Sequence, residues 1–183
     1  MRKRFIVYLI VVAMFAVGLQ WLNNTPKTFD NGLTQADVQE VFNNLQKYSG
    51  LPGGIPHVTV VQDGQINAWM TPDGMFVTTG ILHFLKNKDE LAAVMGHEMG
   101  HFVLQHFQLD GDSRLHEANA DKFGLFVMMR AGYDPCVIEG LWTRMADTFG
   151  DEAITTSHPG SAQRAYEMKF PMCQRHFFDS YNI

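Results

Sequence analysis

Residues 90–106 read ELAAVMGHEMGHFVLQH. Leu91, Val94, Met95 and Phe102 recur at helical spacing, so a central, partly buried helix is expected from Glu90 to about His106, capped by Asp89. Within it stands His97-Glu98-Met99-Gly100-His101. Residues four apart share one face of a helix, so both imidazoles can reach one ion. Glu98 is rotated away from that pair. It can stand beside a water on the ion and take its proton as attack proceeds. The competing reading is a helix with two unrelated surface histidines. With 8 histidines in 183 residues, H-E-x-x-H has a random expectation of roughly 0.01, which makes accident the poorer reading.

A catalytic zinc ion needs a third protein ligand. The next helical stretch, about residues 114–130, opens with His116-Glu117-Ala118-Asn119-Ala120-Asp121. Glu117 can ligate the ion. Asp121, one turn further along the same face, can accept the second N–H of a ligand imidazole, with His97 as the expected partner. Alone, these carboxylates would read as a solvated acidic face. His106 follows His101 by five residues, about 140° round a helix, and is not expected to face the same ion. Leu104 stands where the extended H-E-x-x-H-x-x-G-x-x-H pattern needs glycine, which disfavours metzincins. His57, His83, His116 and His176 read as surface or capping residues.

Upstream, Thr34 with Asp37 resembles a helix-capping start. Val38, Val41, Phe42, Leu45 and Tyr48 then recur at helical spacing as far as Ser49-Gly50. Residues 57–62 (HVTVVQ), 65–70 (QINAWM) and 75–79 (MFVTT) read as three short strands, at least two of them antiparallel. Asp63-Gly64 between the first two signals a hairpin, and Pro72-Asp73-Gly74 a further turn. Downstream, a helix is expected at about residues 136–149. A Ser157-His158-Pro159-Gly160 loop and a short helix through 163–168 follow. The fold class is α+β: a mainly helical body with a small antiparallel or mixed sheet.

Residues 5–22 (FIVYLIVVAMFAVGLQWL) carry no charge and follow Arg2-Lys3-Arg4. They are expected to form one N-terminal transmembrane helix, the basic cluster staying cytoplasmic and the body crossing the membrane. A cleaved signal peptide is the alternative, although Met14-Phe15-Ala16 makes a poor cleavage site. The expected organisation is an anchor or signal at 1–22, a polar linker at 23–33 and one domain at 34–183. Beyond the anchor, 11 basic residues face 19 acidic ones, a net charge of −8 that argues against nucleic acid as a partner. The two cysteines, Cys136 and Cys173, form no C-x-x-C motif. In an oxidising compartment they can form one disulfide, which spacing alone does not decide.

Several segments together resemble the gluzincin metallopeptidases of the HtpX/BepA/LoiP type, peptidase family M forty-eight. Asn67-Ala68-Trp69 with Pro72, Gly74 and Thr78-Thr79-Gly80-Ile81-Leu82 resembles the family's strand and helix ahead of the zinc helix. Residues 90–96 resemble the lead-in to the motif, Glu117-Ala118-Asn119-Ala120-Asp121 the third-ligand segment, and Ala131-Gly132-Tyr133-Asp134-Pro135 the turn after it. Ser157-His158-Pro159 with Arg164 resembles a late His-Pro…Arg element. The resemblance covers about residues 55–170. It implies a zincin-like fold holding one Zn2+ per chain on His97, His101 and Glu117, with Glu98 as general base. It also suggests that Asn67, Ala68 and Trp69 form an edge strand to which an extended substrate adds through backbone hydrogen bonds. An ordinary edge strand is the plainer reading. His158 and Arg164 are candidate donors to the oxyanion of the scissile carbonyl. Alternatively His158 occupies the open position on zinc, or the pair is a loop His-Pro with an arginine salt bridge.

The leading expectation is a membrane-anchored zinc endopeptidase acting on extended or misfolded envelope proteins, in a bacterial inner membrane with the domain facing the periplasm. The alternative is a non-catalytic zinc-containing chaperone or adaptor for extended polypeptides. A purely structural helical protein is the third. The intact Glu98 favours the enzyme, because a binder has no need of the base. Oligomeric state is left open.

Overall fold

A computed structural model of the chain describes residues 28–51, 57–108 and 113–150, together with Arg164. Among the described residues no helix is long and apolar enough to cross a membrane. The expected anchor at 5–22, the His158 loop, His176 and Cys173 lie outside the described residues.

Helix α1 spans Gln35–Ser49. Its start is the expected capping box: Asp37 N donates to Thr34 Oγ1 at 3.2 Å, and Thr34 N donates to Asp37 Oδ2 at 2.8 Å. Its end is Gly50, at φ 68°, where a side chain would be strained. Val38, Val41, Phe42 and Leu45 are fully buried, whereas Tyr48, at the edge of the stripe, is exposed with Arg130 over its ring.

The sheet is mixed, in the order β1-β3-β2, with β1 at Val58–Val61, β2 at Ala68–Thr71 and β3 at Gly74–Thr78. β2 and β3 form the antiparallel hairpin, closed by Pro72-Asp73. β1 runs parallel to β3 on its other side. The hairpin expected at Asp63-Gly64 is therefore corrected: β1 and β2 are not neighbours. Residues 62–67 instead cross the end of β3. Thr78 Oγ1 donates to Gln65 O at 2.5 Å, Thr79 Oγ1 to Asp63 O at 2.8 Å, and Gly80 N to Asp63 O at 2.8 Å. A Cβ on Gly80 would stand 2.3 Å from Gln65 O, so only glycine admits this crossing. A two-residue Asp-Gly signal reports local turn chemistry and is blind to a third strand inserted between its arms.

β3 leads into the short helix α2 (Thr79–Phe84), and then into α3 (Lys88–Val103). Asn87, rather than Asp89, caps α3, its Oδ1 accepting from Glu90 N at 2.9 Å. Asp89 Oδ1 accepts from Asp134 N and pins the turn that follows the next helix. Every residue from 90 to 100 is buried, because α1, β2, α4 (Ser113–Arg130) and α5 (Val137–Phe149) all pack on α3. Buried Glu90 is satisfied by Lys86 N and by Arg144 of α5, at 2.8 and 2.6 Å. The end of α3 also differs from expectation. The helix stops at Val103, and Gln105, at φ 57°, turns the chain into a 3-10 turn at His106–Gln108.

The closest contact is between α3 and α4. A Cβ on Gly96 would lie 2.9 Å from Gly124 O, and one on Gly100 would lie 2.9 Å from the Ala120 Cα. Two small-residue stripes at i, i+4 thus bring the backbones together.

Candidate metal centre

That close approach sets Glu117 of α4 opposite His97 and His101 of α3. One nitrogen from each histidine and one carboxylate oxygen from Glu117 lie within 4.8 Å of one another. His97 Nε2 is 3.0 Å from His101 Nε2 and 3.4 Å from Glu117 Oε2, and His101 Nε2 is 3.1 Å from Glu117 Oε1. Ligands at 2.0–2.1 Å in a tetrahedron around zinc lie about 3.3–3.4 Å apart. His97 faces Oε2 and His101 faces Oε1 of the carboxylate, and the three residues have the closeness and the donor chemistry to hold one metal ion. Glu98, on the same helix, is buried and stands outside this group of three.

Behind the donors lies a second set of buried groups. Asp121 Oδ1 is 2.9 Å from His97 Nδ1. Arg164 Nε and NH2 donate to the two oxygens of Asp121 at 2.8 and 2.7 Å, and NH1 is 3.2 Å from Glu117 Oε2. All three guanidinium nitrogens thus reach carboxylates, and NH2 also lies 3.1 Å from His97 Nδ1 and 3.4 Å from His97 Nε2. Arg164 is ion-paired with both Asp121 and Glu117. Its carbon lies 3.6 Å from the centroid of Trp142, whose ring also meets the edge of His97. Trp142 carries no motif of its own; its spacing of four from Ile138 on the buried face of α5 was the available signal.

Electrostatics follow from this burial. For the metal-free site, desolvation is the largest influence on His97 and pushes its pKa down, as does Arg164. Asp121 and Glu117 outweigh both and raise it to about 9. Burial raises Asp121, but Arg164 and His97 prevail and hold it at about 2. His101 is lowered, chiefly by burial.

Two further histidines, His106 and the expected surface or capping residue His116, adjoin the cluster. His106 Nδ1 is 2.9 Å from His101 Nδ1, and the His106 ring stacks on His116 with centroids 4.5 Å apart and planes 12° apart. His106 stays outside the group of three donors, as expected, but it is the end of the helix at Val103, not a 140° offset along it, that places the ring behind His101. Burial, then the neighbouring His101 and His116, lowers His106 to about 4. Ala68 and Trp69 open β2, an edge strand among the described residues, whereas Asn67, expected in that strand, lies just before it in the crossing segment. Ala68 and Trp69 pair with Val77 and Phe76, and Trp69 stacks on Phe76.

A buried helix carrying H-E-x-x-H, crossed closely by a second helix that supplies a carboxylate, defines a zincin-type metallopeptidase centre. The profile of Peptidase family M48 matches residues 32–111 and 107–171, and the chain belongs to that family. It is similar to the mitochondrial metalloendopeptidase OMA1 of Schizosaccharomyces pombe, 29% identical over 167 residues covering 69% of this chain and 50% of that protein. It is also similar to the protein of the same name from Arabidopsis thaliana, 29% identical over 153 residues covering 64% and 32%. The chain spans half or less of the length of these relatives.

Proposed function

We propose that the chain is a zinc-dependent endopeptidase that hydrolyses peptide bonds in extended polypeptides. The observation that carries this reading is the convergence of His97, His101 and the Glu117 carboxylate, one donor atom of each within 4.8 Å of the others, in a chain of this family.

Zinc, when bound, supplies Lewis-acid polarisation of the scissile carbonyl and makes water a stronger acid. His97, His101 and Glu117 hold it. Glu98, one residue beyond His97 and pointing off the ligand face, is the general base: it takes the proton of the attacking water and passes it to the departing amine. Asp121 accepts the Nδ1–H of His97 and so leaves Nε2 with its lone pair toward the ion. Arg164 holds Asp121 bidentately, which keeps that buried carboxylate ionised, and reaches Glu117 through NH1. An extended substrate adds to the edge of β2 beside Asn67, Ala68 and Trp69. Backbone pairing of this kind recognises an accessible, unfolded segment more than a particular sequence. His158, from the late His-Pro element, completes the proposal as oxyanion donor or as fourth zinc ligand. The uncharged run at 5–22 behind Arg2-Lys3-Arg4 is the membrane anchor, carrying the domain to the far side, which in a bacterium is the periplasm.

The test is zinc per chain together with casein cleavage. The wild type should bind close to one zinc and cleave. Glu98→Gln should retain zinc and lose cleavage, and Glu117→Ala should lose zinc. Cleavage that survives Glu98→Gln would remove the general-base role, and a folded wild type that takes up no zinc would remove the enzyme reading.

A further inference from the structure

The two histidines of H-E-x-x-H are supported differently. His97 has a buried aspartate on its rear nitrogen, Asp121 Oδ1 at 2.9 Å. His101 presents Nε2 to His97 and Glu117 at 3.0 and 3.1 Å, so Nε2 is its front nitrogen. Its rear nitrogen, Nδ1, meets the Nδ1 of His106 at 2.9 Å.

Two nitrogens at that distance share a single hydrogen. If His101 Nε2 is to offer a lone pair to a cation, its hydrogen must sit on Nδ1. His101 Nδ1–H is then the donor and His106 Nδ1 the acceptor, with the His106 hydrogen at Nε2. Three features of the fold hold His106 in place for this. Helix α3 ends at Val103, three residues before it. Gln105, at φ 57°, turns the backbone so that the 3-10 turn doubles back over His101. His116, one residue before the carboxylate donor Glu117, lies flat against the His106 ring, 12° from parallel. The turn of α4 that delivers the third donor thus also braces the acceptor behind the second.

From this we propose that His106 is a positioning residue of the metal centre. It fixes the tautomer and ring orientation of His101 as Asp121 fixes those of His97, and His116 holds it by stacking. This inference rests on the zinc reading proposed above. It gives the centre one charged and one neutral rear acceptor.

The experiment measures zinc affinity of the full chain by competition with a chelator, and the visible spectrum of the cobalt(II)-substituted protein. His106→Phe keeps a ring to stack on His116 but has no acceptor. His106→Asn places Oδ1 close to the position of the imidazole Nδ1 and keeps the acceptor. Loss of such an outer hydrogen bond typically weakens metal binding by about 10–100-fold. His106→Phe should fall in that range with shifted cobalt bands, and His106→Asn should stay within about three-fold of the wild type. Wild-type affinity and spectrum in His106→Phe would overturn the proposal, as would an equal loss in both variants. Should His106→Phe fail to fold, nitrogen-15 NMR of the histidines in the zinc-loaded wild type decides. Hydrogen on His101 Nδ1 with a bare His106 Nδ1 supports the assignment, and the reverse overturns it. A wild type that binds no zinc at all sinks the underlying metal reading instead, and is told apart because every variant then behaves alike.

Discussion

Gly124 packs directly against the backbone of His97: a Cβ added to Gly124 would stand 2.7 Å from the His97 nitrogen and 2.8 Å from the carbonyl carbon of Gly96. The obstructing atoms are backbone, so relief requires α3 and α4 to separate. Glu117 rides on α4 seven residues earlier and would move off the two histidines. Gly124→Ala should therefore cost about 1–3 kcal/mol of stability through overpacking. It should also weaken zinc binding, although residue 124 touches no ion. Thermal unfolding and zinc titration of the variant check both. Unchanged zinc affinity would mean that the centre tolerates a wider helix spacing than its geometry indicates.

Arg164 holds Asp121 through two hydrogen bonds and reaches Glu117, all three residues being about 95% buried or more. Removing one partner of a buried charged group leaves the others uncompensated, at a typical cost of about 3–5 kcal/mol. Arg164→Met should show a loss in this range without metal. A zinc ion supplies positive charge to the same carboxylates, so the loss should shrink when zinc is saturating. Paired unfolding curves with chelator and with excess zinc measure the difference. An equal loss in both would place Arg164 outside the electrostatics of the site.

Zinc binding should release protons. In the metal-free site Asp121 and Glu117, against the opposing effect of burial, raise His97 to about 9, so below that pH the imidazole holds a proton that a metal ligand must lose. Affinity should thus rise with pH, by about tenfold per unit where His97 is the sole competitor, and level off above about 9. Calorimetry in buffers of different ionisation enthalpy, run at several pH values, counts the protons released. Affinity independent of pH between 6 and 8 would contradict this account of His97.

The capping box of α1 sets the acid limit of the N-terminal part of the fold. Hydrogen bonds from Lys88 and then Thr34 lower Asp37 to about 2, and Lys88 Nζ lies 2.6 Å from its carboxylate. A carboxyl group depressed on folding stabilises above its unfolded pKa, near 4, and that stabilisation disappears as pH falls through 2. Asp37→Ala should cost about 1 kcal/mol at neutral pH, mostly through the cap, because solvent weakens the ion pair with Lys88. The penalty should fade between pH 4 and 2. Urea unfolding of both proteins across that range is the measurement, and a penalty that persists undiminished at pH 2 would exclude the charge of Asp37 as its source.

Much was legible before any coordinates. The apolar spacing from Val38 to Leu45 and the Thr34/Asp37 cap were enough for α1, because both are local and repeat at the period of the helix. H-E-x-x-H followed by Glu117 and Asp121 was enough to pick out three residues that the fold brings together and to pair Asp121 with His97. Residues four apart on a helix have no choice of face. Reading failed where a local signal met a distant partner. Asp63-Gly64 looked like a hairpin because nothing in those residues shows that β3 lies between β1 and β2. The helix expected to run to His106 ends at Val103, because its last turn gives way to a left-handed Gln105 that no local signal announces.

By itself, then, the sequence determined which side chains are candidates for metal chemistry and the helix faces on which they stand, since helical periodicity and donor type are properties of short segments. Only the tertiary structure decided how those faces meet. Gly96 and Gly100 let Ala120 and Gly124 approach to backbone contact, Arg164 arrives from 43 residues beyond Asp121 to neutralise the buried carboxylates, and a left-handed residue at 105 turns His106 back behind His101. Each of these joins groups that share no local period, and steric fit and the cost of an unpaired buried charge act only once the helices have packed.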